Sequence, residues 1–184
     1  MPSVYIAPWR IDVTTREGVH SPTSAAGVAR TAARALDSAG APSPASLAVI
    51  LTNDAEITGL NEKHMGEHGP TDVLSFPLLS PDAFPPHPGQ QAGSAGGPAA
   101  DFVLPPGQRQ HLGDIVISVE RASEQADVGR GGQTGDVRWS AAHELRLLVV
   151  HGVLHICGWD HADADERSAM RELENDLLAA RTGD

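Results

Sequence analysis

The chain has 184 residues with 24 acidic and 13 basic side chains, a formal charge of −11, and that balance argues against broad, sequence-independent coating of nucleic acid, which takes many Lys and Arg contacts to phosphate. Its length suits one domain, 1–184, with a single sizeable core, and its one cysteine, Cys157, permits no internal disulfide and fits a reducing compartment. The first residues lack the apolar run and cationic lead-in of a signal peptide and no stretch approaches the ~18 apolar residues of a membrane span, so a cytoplasmic protein with no membrane partner is expected.

In chain order, residues 4–7 form a β-prone run before Pro8 and predict a strand. Ser21 followed by Pro22 marks a helix start, and Val28, Ala32, Ala35, Leu36 and Ala39 recur at helical spacing until Gly40. Residues 47–51, LAVIL, are continuously apolar and read as a strand buried on both faces. Asp54 is the expected cap of a short helix that runs through Ile57 and Leu60 towards Met65. Residues 71–77, TDVLSFP, are β-prone, and their polar Asp72 and Ser75 suit the lining of a cleft.

From about 80 to 110 the composition shifts to clustered Pro, Gly, Ala and Gln, which predicts a flexible insertion, and neither His87 nor His111 is assigned a role. Residues 112–119, LGDIVISV, are the next strand, leading from Ser118 into a helix through Ala126. Residues 129–135, GRGGQTG, lack the Gly-Lys-Ser/Thr of a phosphate-cradling loop. A helix from about Val137 to Cys157 has apolar residues around nearly its whole circumference, Trp139 and Leu145 to Ile156 among them, so it is expected to be central and buried. Asp163 with Glu166 has the form of a capping box, and Met170, Leu173, Leu177 and Leu178 give an amphipathic closing helix. These strands and helices are expected in one domain, with a small mixed sheet packed against helices.

The chemistry concentrates in residues 151–161, HGVLHICGWDH. His151 and His155 stand four residues apart, so on a helix both imidazoles project from one face. Gly158 offers a helix end, and the returning chain can deliver His161. Three neutral imidazoles with a fourth position left to water describe a catalytic zinc site better than a closed structural one. Burying His151 and His155 on an apolar helix is unfavourable unless they are ligated or hydrogen-bonded. Asp160 is read as a cap of the turn in preference to a group that orients a ligand. Metzincin peptidases share the spacing but use a Glu directly after the first His as general base, and here that position is Gly152. Glu144, seven residues before His151, is either a substitute base, a group that orients an imidazole, or a plain helix charge.

HGVLHICGWDH, together with PTDVLSFP at 70–77 and LGDIVIS at 112–118, resembles the YbeY family of bacterial metal-dependent endoribonucleases, also described as rRNA maturation factors. Weaker similarity extends to LTNDAEITGLN and the closing helix. The resemblance implies a single α+β domain and one zinc ion held by His151, His155 and His161 plus water. It further implies cleavage of single-stranded RNA in rRNA maturation and ribosome quality control, in the cytoplasm, with the ribosome or its small subunit as partner and no DNA. Asp72, Ser75, Asp114 and Glu144 are the catalytic candidates beside the metal. After its Leu-Asn pair the family usually carries an aromatic residue followed by Arg, where this chain has His64 and Met65. Methionine cannot supply a bidentate fork to phosphate, so Lys63, Arg146 and His64 are the substrate-binding candidates. Two alternatives remain: a non-catalytic ribosome assembly factor with a structural zinc, and a zinc metallopeptidase.

Overall fold

Apolar and polar residues alternate from Trp9 onwards, so a strand forms there with Trp9, Ile11 and Val13 buried and Arg10 exposed. In the computed structural model, which describes residues 3–88, 108–128 and 140–179, this strand, β2 (Trp9–Thr15), pairs antiparallel with β1 (Ser3–Ile6), Ile6 standing opposite Trp9. The predicted strand at 4–7 is therefore only the first arm of a hairpin. Pro8 sits in the connecting turn rather than ending the sheet.

The chain continues through α1 (Ala25–Ser38), β3 (Ala45–Thr52), α2 (Asp54–His64), β4 (Val73–Pro77), β5 (Gln110–Ser118), α3 (Val119–Val128), α4 (Ala141–Ile156) and α5 (Ala164–Ala179). Strands lie in the order β1-β2-β3-β5-β4; β2, β3 and β5 run parallel, and β1 and β4 are antiparallel edges. The fold is α+β with a mixed sheet, as expected. No helix among the described residues is long and apolar enough to cross a membrane.

The caps of α1 and α2 differ from the sequence reading. Ser24, not Ser21, caps α1 by accepting from the Gly27 amide, while the Ser21 hydroxyl accepts from the Thr23 amide in a turn just ahead. Asn53 caps α2, accepting from the Glu56 amide at 3.0 Å. Asp54 instead takes a two-pronged ion pair from Arg121 at 2.9 and 2.7 Å, together with the Ser118 hydroxyl. Burial alone would raise the Asp54 pKa, but these donors outweigh it and hold the carboxyl below its ordinary value.

The main core lies on one face of the sheet, where Ile11, Val13, Leu47, Val49, Leu51, Ile115 and Ile117 meet Leu36 of α1 and Leu145, Leu148, Val149 and Leu154 of α4. Each such fully buried aliphatic side chain contributes about 1.5–3 kcal/mol relative to exposure. The other face carries a smaller cluster of Ile57, Leu74 and Val116 under α2, flanked by Ile50, Leu60 and Phe76. β3 is consequently not buried evenly on both faces: Leu47, Val49 and Leu51 are fully enclosed, whereas Ile50 is partly exposed because one short helix covers its side.

α4 is the central element, touching α1, α3, α5, β4 and β5. Ser140 caps it by accepting from the His143 amide, so the helix begins at Ala141 rather than near 137; Val137, Trp139 and the glycine-rich stretch at 129–135 lie outside the described residues. The opening of the predicted flexible insertion is ordered against the core. Residues Pro81–Ala83 form one 3₁₀ turn, Phe84 is 6% exposed within the main core and His87 is also buried. Residues 89–107 of that insertion fall outside the described residues, and Gln110 already belongs to β5.

Candidate metal centre

α4 ends at Ile156, and the chain reverses through Gly158 at φ +82, a conformation open to glycine without steric penalty. The Gly158 amide donates to the His155 carbonyl at 3.1 Å and the Trp159 amide to that of Leu154 at 3.0 Å, closing the helix. Asp160 then accepts from the His161 amide at 2.7 Å, the structural role expected of it. These three constraints bring His161 beside the last turn of α4. The ligating atoms of His151, His155 and His161 all lie within 4.8 Å of one another, and among the described residues this is the cluster able to hold a metal ion.

Proton positions in the cluster follow from its neighbours. Nδ1 of His155 lies 2.9 Å from the Trp159 carbonyl, which can only accept, so Nδ1 bears the hydrogen. Nδ1 of His151 lies 2.7 Å from a Glu174 carboxylate oxygen and is likewise the donor to an ionised carboxylate. With both Nδ1 positions protonated, the neutral rings turn bare Nε2 lone pairs towards each other at 3.0 Å. That approach is repulsive unless a proton or a cation lies between. Burial, and then the neighbouring His151 and His161, push the His155 pKa down to about 4, which disfavours the proton. A cation answers the arrangement better: two imidazole nitrogens on a tetrahedral ion with bonds of about 2.05 Å stand roughly 3.3 Å apart. The donor set of nitrogen ligands, with the His151 and His155 rings held by outer hydrogen bonds, fits zinc. His151 and His155 are half-buried and His161 is exposed, so the cluster opens to solvent on one side.

Glu174, whose carboxylate holds the His151 ring, is a contact that sequence reasoning missed. Its signal was an acid on the inner face of the closing helix, four residues after Met170 and three before Leu177, where its side chain is 12% exposed. Glu174→Ala is expected to weaken metal affinity about 10–100-fold by freeing the His151 ring, with Glu174→Gln retaining part of it through the surviving acceptor. Competition against a chromophoric chelator measures both.

The other candidates are held elsewhere. Asp72 accepts from the Val73 amide at 2.8 Å, the Thr71 hydroxyl and the Gln125 amide, anchoring the turn into β4. Asp114 pairs with His111 at 2.9 Å, and His111 in turn meets the Ser46 hydroxyl. Glu144 is 1% exposed and two turns before His151, about 10 Å along the helix; the partner of His151 is Glu174 instead. Ser75 lies closest to the metal helix, its hydroxyl donating to the Gly152 carbonyl at 3.2 Å. His64 packs edge-on against Phe76 on the α2 side of the sheet, with Lys63 exposed beside it and Arg146 half-buried on α4.

The glycine after the first ligand has a packing cause. A Cβ on Gly152 would lie 2.7 Å from Cγ2 of Ile115 and 3.3 Å from the Ser75 hydroxyl, because α4 rests directly on β4 and β5 there. A glutamate, the peptidase base, has no space at this position. Gly152→Ala is expected to destabilise the fold by about 1–3 kcal/mol, read as a lower urea midpoint at unchanged slope.

The sequence profile described as Endoribonuclease YbeY matches residues 11–182. The chain is similar to the endoribonuclease YbeY of Salinispora tropica, at 38% identity over 170 residues, spanning 92% of this chain and 94% of the relative. That of Thermobifida fusca is 37% identical over 171 residues, 92% of each chain, and that of Symbiobacterium thermophilum 38% identical over 154 residues, 83% of each. A match of this extent, laid over a sheet and metal helix of the geometry described above, means that the chain belongs to the endoribonuclease YbeY family.

Proposed function

We propose that this chain is a zinc-dependent endoribonuclease that cleaves single-stranded RNA, acting as one domain in rRNA maturation and ribosome quality control in the cytoplasm. The observation that carries the zinc dependence is the pair of bare Nε2 atoms at 3.0 Å, each ring fixed from behind by Glu174 or the Trp159 carbonyl. When bound, zinc supplies a Lewis acid that polarises a phosphoryl oxygen and acidifies water. The chain's own contribution is to aim three imidazoles at one point and to leave the His161 side open for an RNA strand. Arg167, which donates to the His161 carbonyl at 3.1 Å, puts a guanidinium at the rim of the site. Met65, 48% exposed, carries no charge with which to meet a phosphate.

Three ligands with one exposed favour catalysis over the structural-zinc reading, since structural sites close with four protein ligands. The peptidase reading lacks a base, Glu144 being buried two turns away and Gly152 being closely packed. Incubation with end-labelled single-stranded RNA, its duplex and single-stranded DNA of the same sequence tests the proposal. Internal cuts confined to single-stranded RNA, lost with chelator and restored by zinc, are expected. Cleavage that persists through exhaustive chelation contradicts it.

A further inference from the structure

We infer that His87 is a positioning residue for the metal centre, acting through the turn that follows α4; the inference rests on the proposed zinc site. His87 belongs to the Pro/Gly-rich insertion, far in sequence from the ligands, yet it is buried and its ring stacks on that of Trp159, with centroids 4.3 Å apart and planes 13° from parallel. Its Nε2 lies 3.1 Å from the Gly158 carbonyl and its Nδ1 3.2 Å from that of Pro88, two acceptors of which a neutral ring donates to one at a time. Pro81 closes the same turn from another side: a Cβ on Gly158 would meet it at 3.0 Å. Phe84, between the two, is fixed in the main core. The segment from Pro81 to His87 is thus a clamp anchored in the core and laid over Gly158 and Trp159.

The clamp matters because of what that turn does. The Trp159 carbonyl holds Nδ1–H of His155 at 2.9 Å, which sets that ring's tautomer and its aim towards His151. Trp159 is also two residues before the third ligand, so its position sets where His161 arrives. His87 gives the insertion a local purpose: it holds two of the three ligands in register from outside the motif.

The test compares wild type, His87→Ala, His87→Phe and His87→Gln, using zinc affinity by chelator competition and the visible absorption of the cobalt-substituted protein, with thermal unfolding of each metal-free form as the control for folding. His87→Ala is expected to lose about tenfold in zinc affinity and to shift or weaken the cobalt bands, which report ligand geometry and are untouched by stability alone. His87→Phe, which keeps the stack, recovers part of the affinity. Wild-type affinity and cobalt spectrum in a folded His87→Ala overturn the inference. If that variant fails to fold, His87→Gln, which keeps a donor without the aromatic stack, is read in the same way, and equality with wild type is again contrary. A wild-type protein that takes up no metal overturns the proposed function, and this inference with it; a loss confined to the variants supports both.

Discussion

His155→Ala is expected to lower zinc affinity by a factor on the order of 10²–10³ and to reduce RNA cleavage to background. The size follows from sharing an apparent ~10–16 kcal/mol of zinc binding among four ligands, or about 3 kcal/mol for each. His155 is held by the fold on both ring nitrogens: its Nδ1 is held by the Trp159 carbonyl and its Nε2 faces that of His151 at 3.0 Å. Its replacement removes a ligand and leaves the Trp159 carbonyl free, without opening the main core, to whose buried cluster His155 does not belong. Far-ultraviolet circular dichroism should therefore match wild type while chelator competition shows the loss. Wild-type affinity in this variant would remove His155 from the site.

The metal-free protein is expected to lose stability on acidification from about pH 6.5 towards pH 4, by at most ~3 kcal/mol. In the folded chain, burial first and the neighbouring imidazoles second push the His155 pKa down from 6.5 to about 4. The unfolded chain takes up a proton near 6.5 that the folded chain refuses until about 4. Between these values the unfolded state binds more protons, so falling pH favours unfolding. The partial exposure of His155 makes the figure an upper bound. Asp54 and Glu56, whose carboxyls Arg121 and Arg16 hold below their ordinary values against the opposing effect of burial, lose their stabilising contribution as the pH falls from those ordinary values. Urea midpoints of the chelated protein across this range, beside those of His155→Ala, separate the contributions: the variant should show a flatter slope above pH 4.5. Equal slopes would place the acid sensitivity elsewhere.

What the sequence made legible was set by range. Local periodicity was sufficient for α1, for the buried α4 and for the closing helix, whose start at Asp163 accepts from the Asp165 and Glu166 amides. The convergence of His151, His155 and His161 was legible for the same reason, since one helical turn and one glycine reversal relate them. Features made by distant segments were not. Glu174 reaches His151 across two helices, and His87 reaches Trp159 from an insertion whose composition suggested no packing at all. The hairpin of β1 and β2 is hidden in the sequence because Pro8, which reads as a strand end, occupies the turn. The caps at Ser24 and Asn53 were each displaced to a neighbouring polar residue, a choice that depends on which side chain finds its amide and which finds a partner such as Arg121.

Elemental analysis of purified protein, paired with RNA cleavage before and after chelation, tests the proposed zinc dependence most directly. One zinc per chain is expected, with cleavage abolished when the metal is removed and restored when zinc is returned. A wild type that cleaves equally well without metal, or a triple His151→Ala, His155→Ala, His161→Ala variant that still retains one zinc per chain, would contradict it.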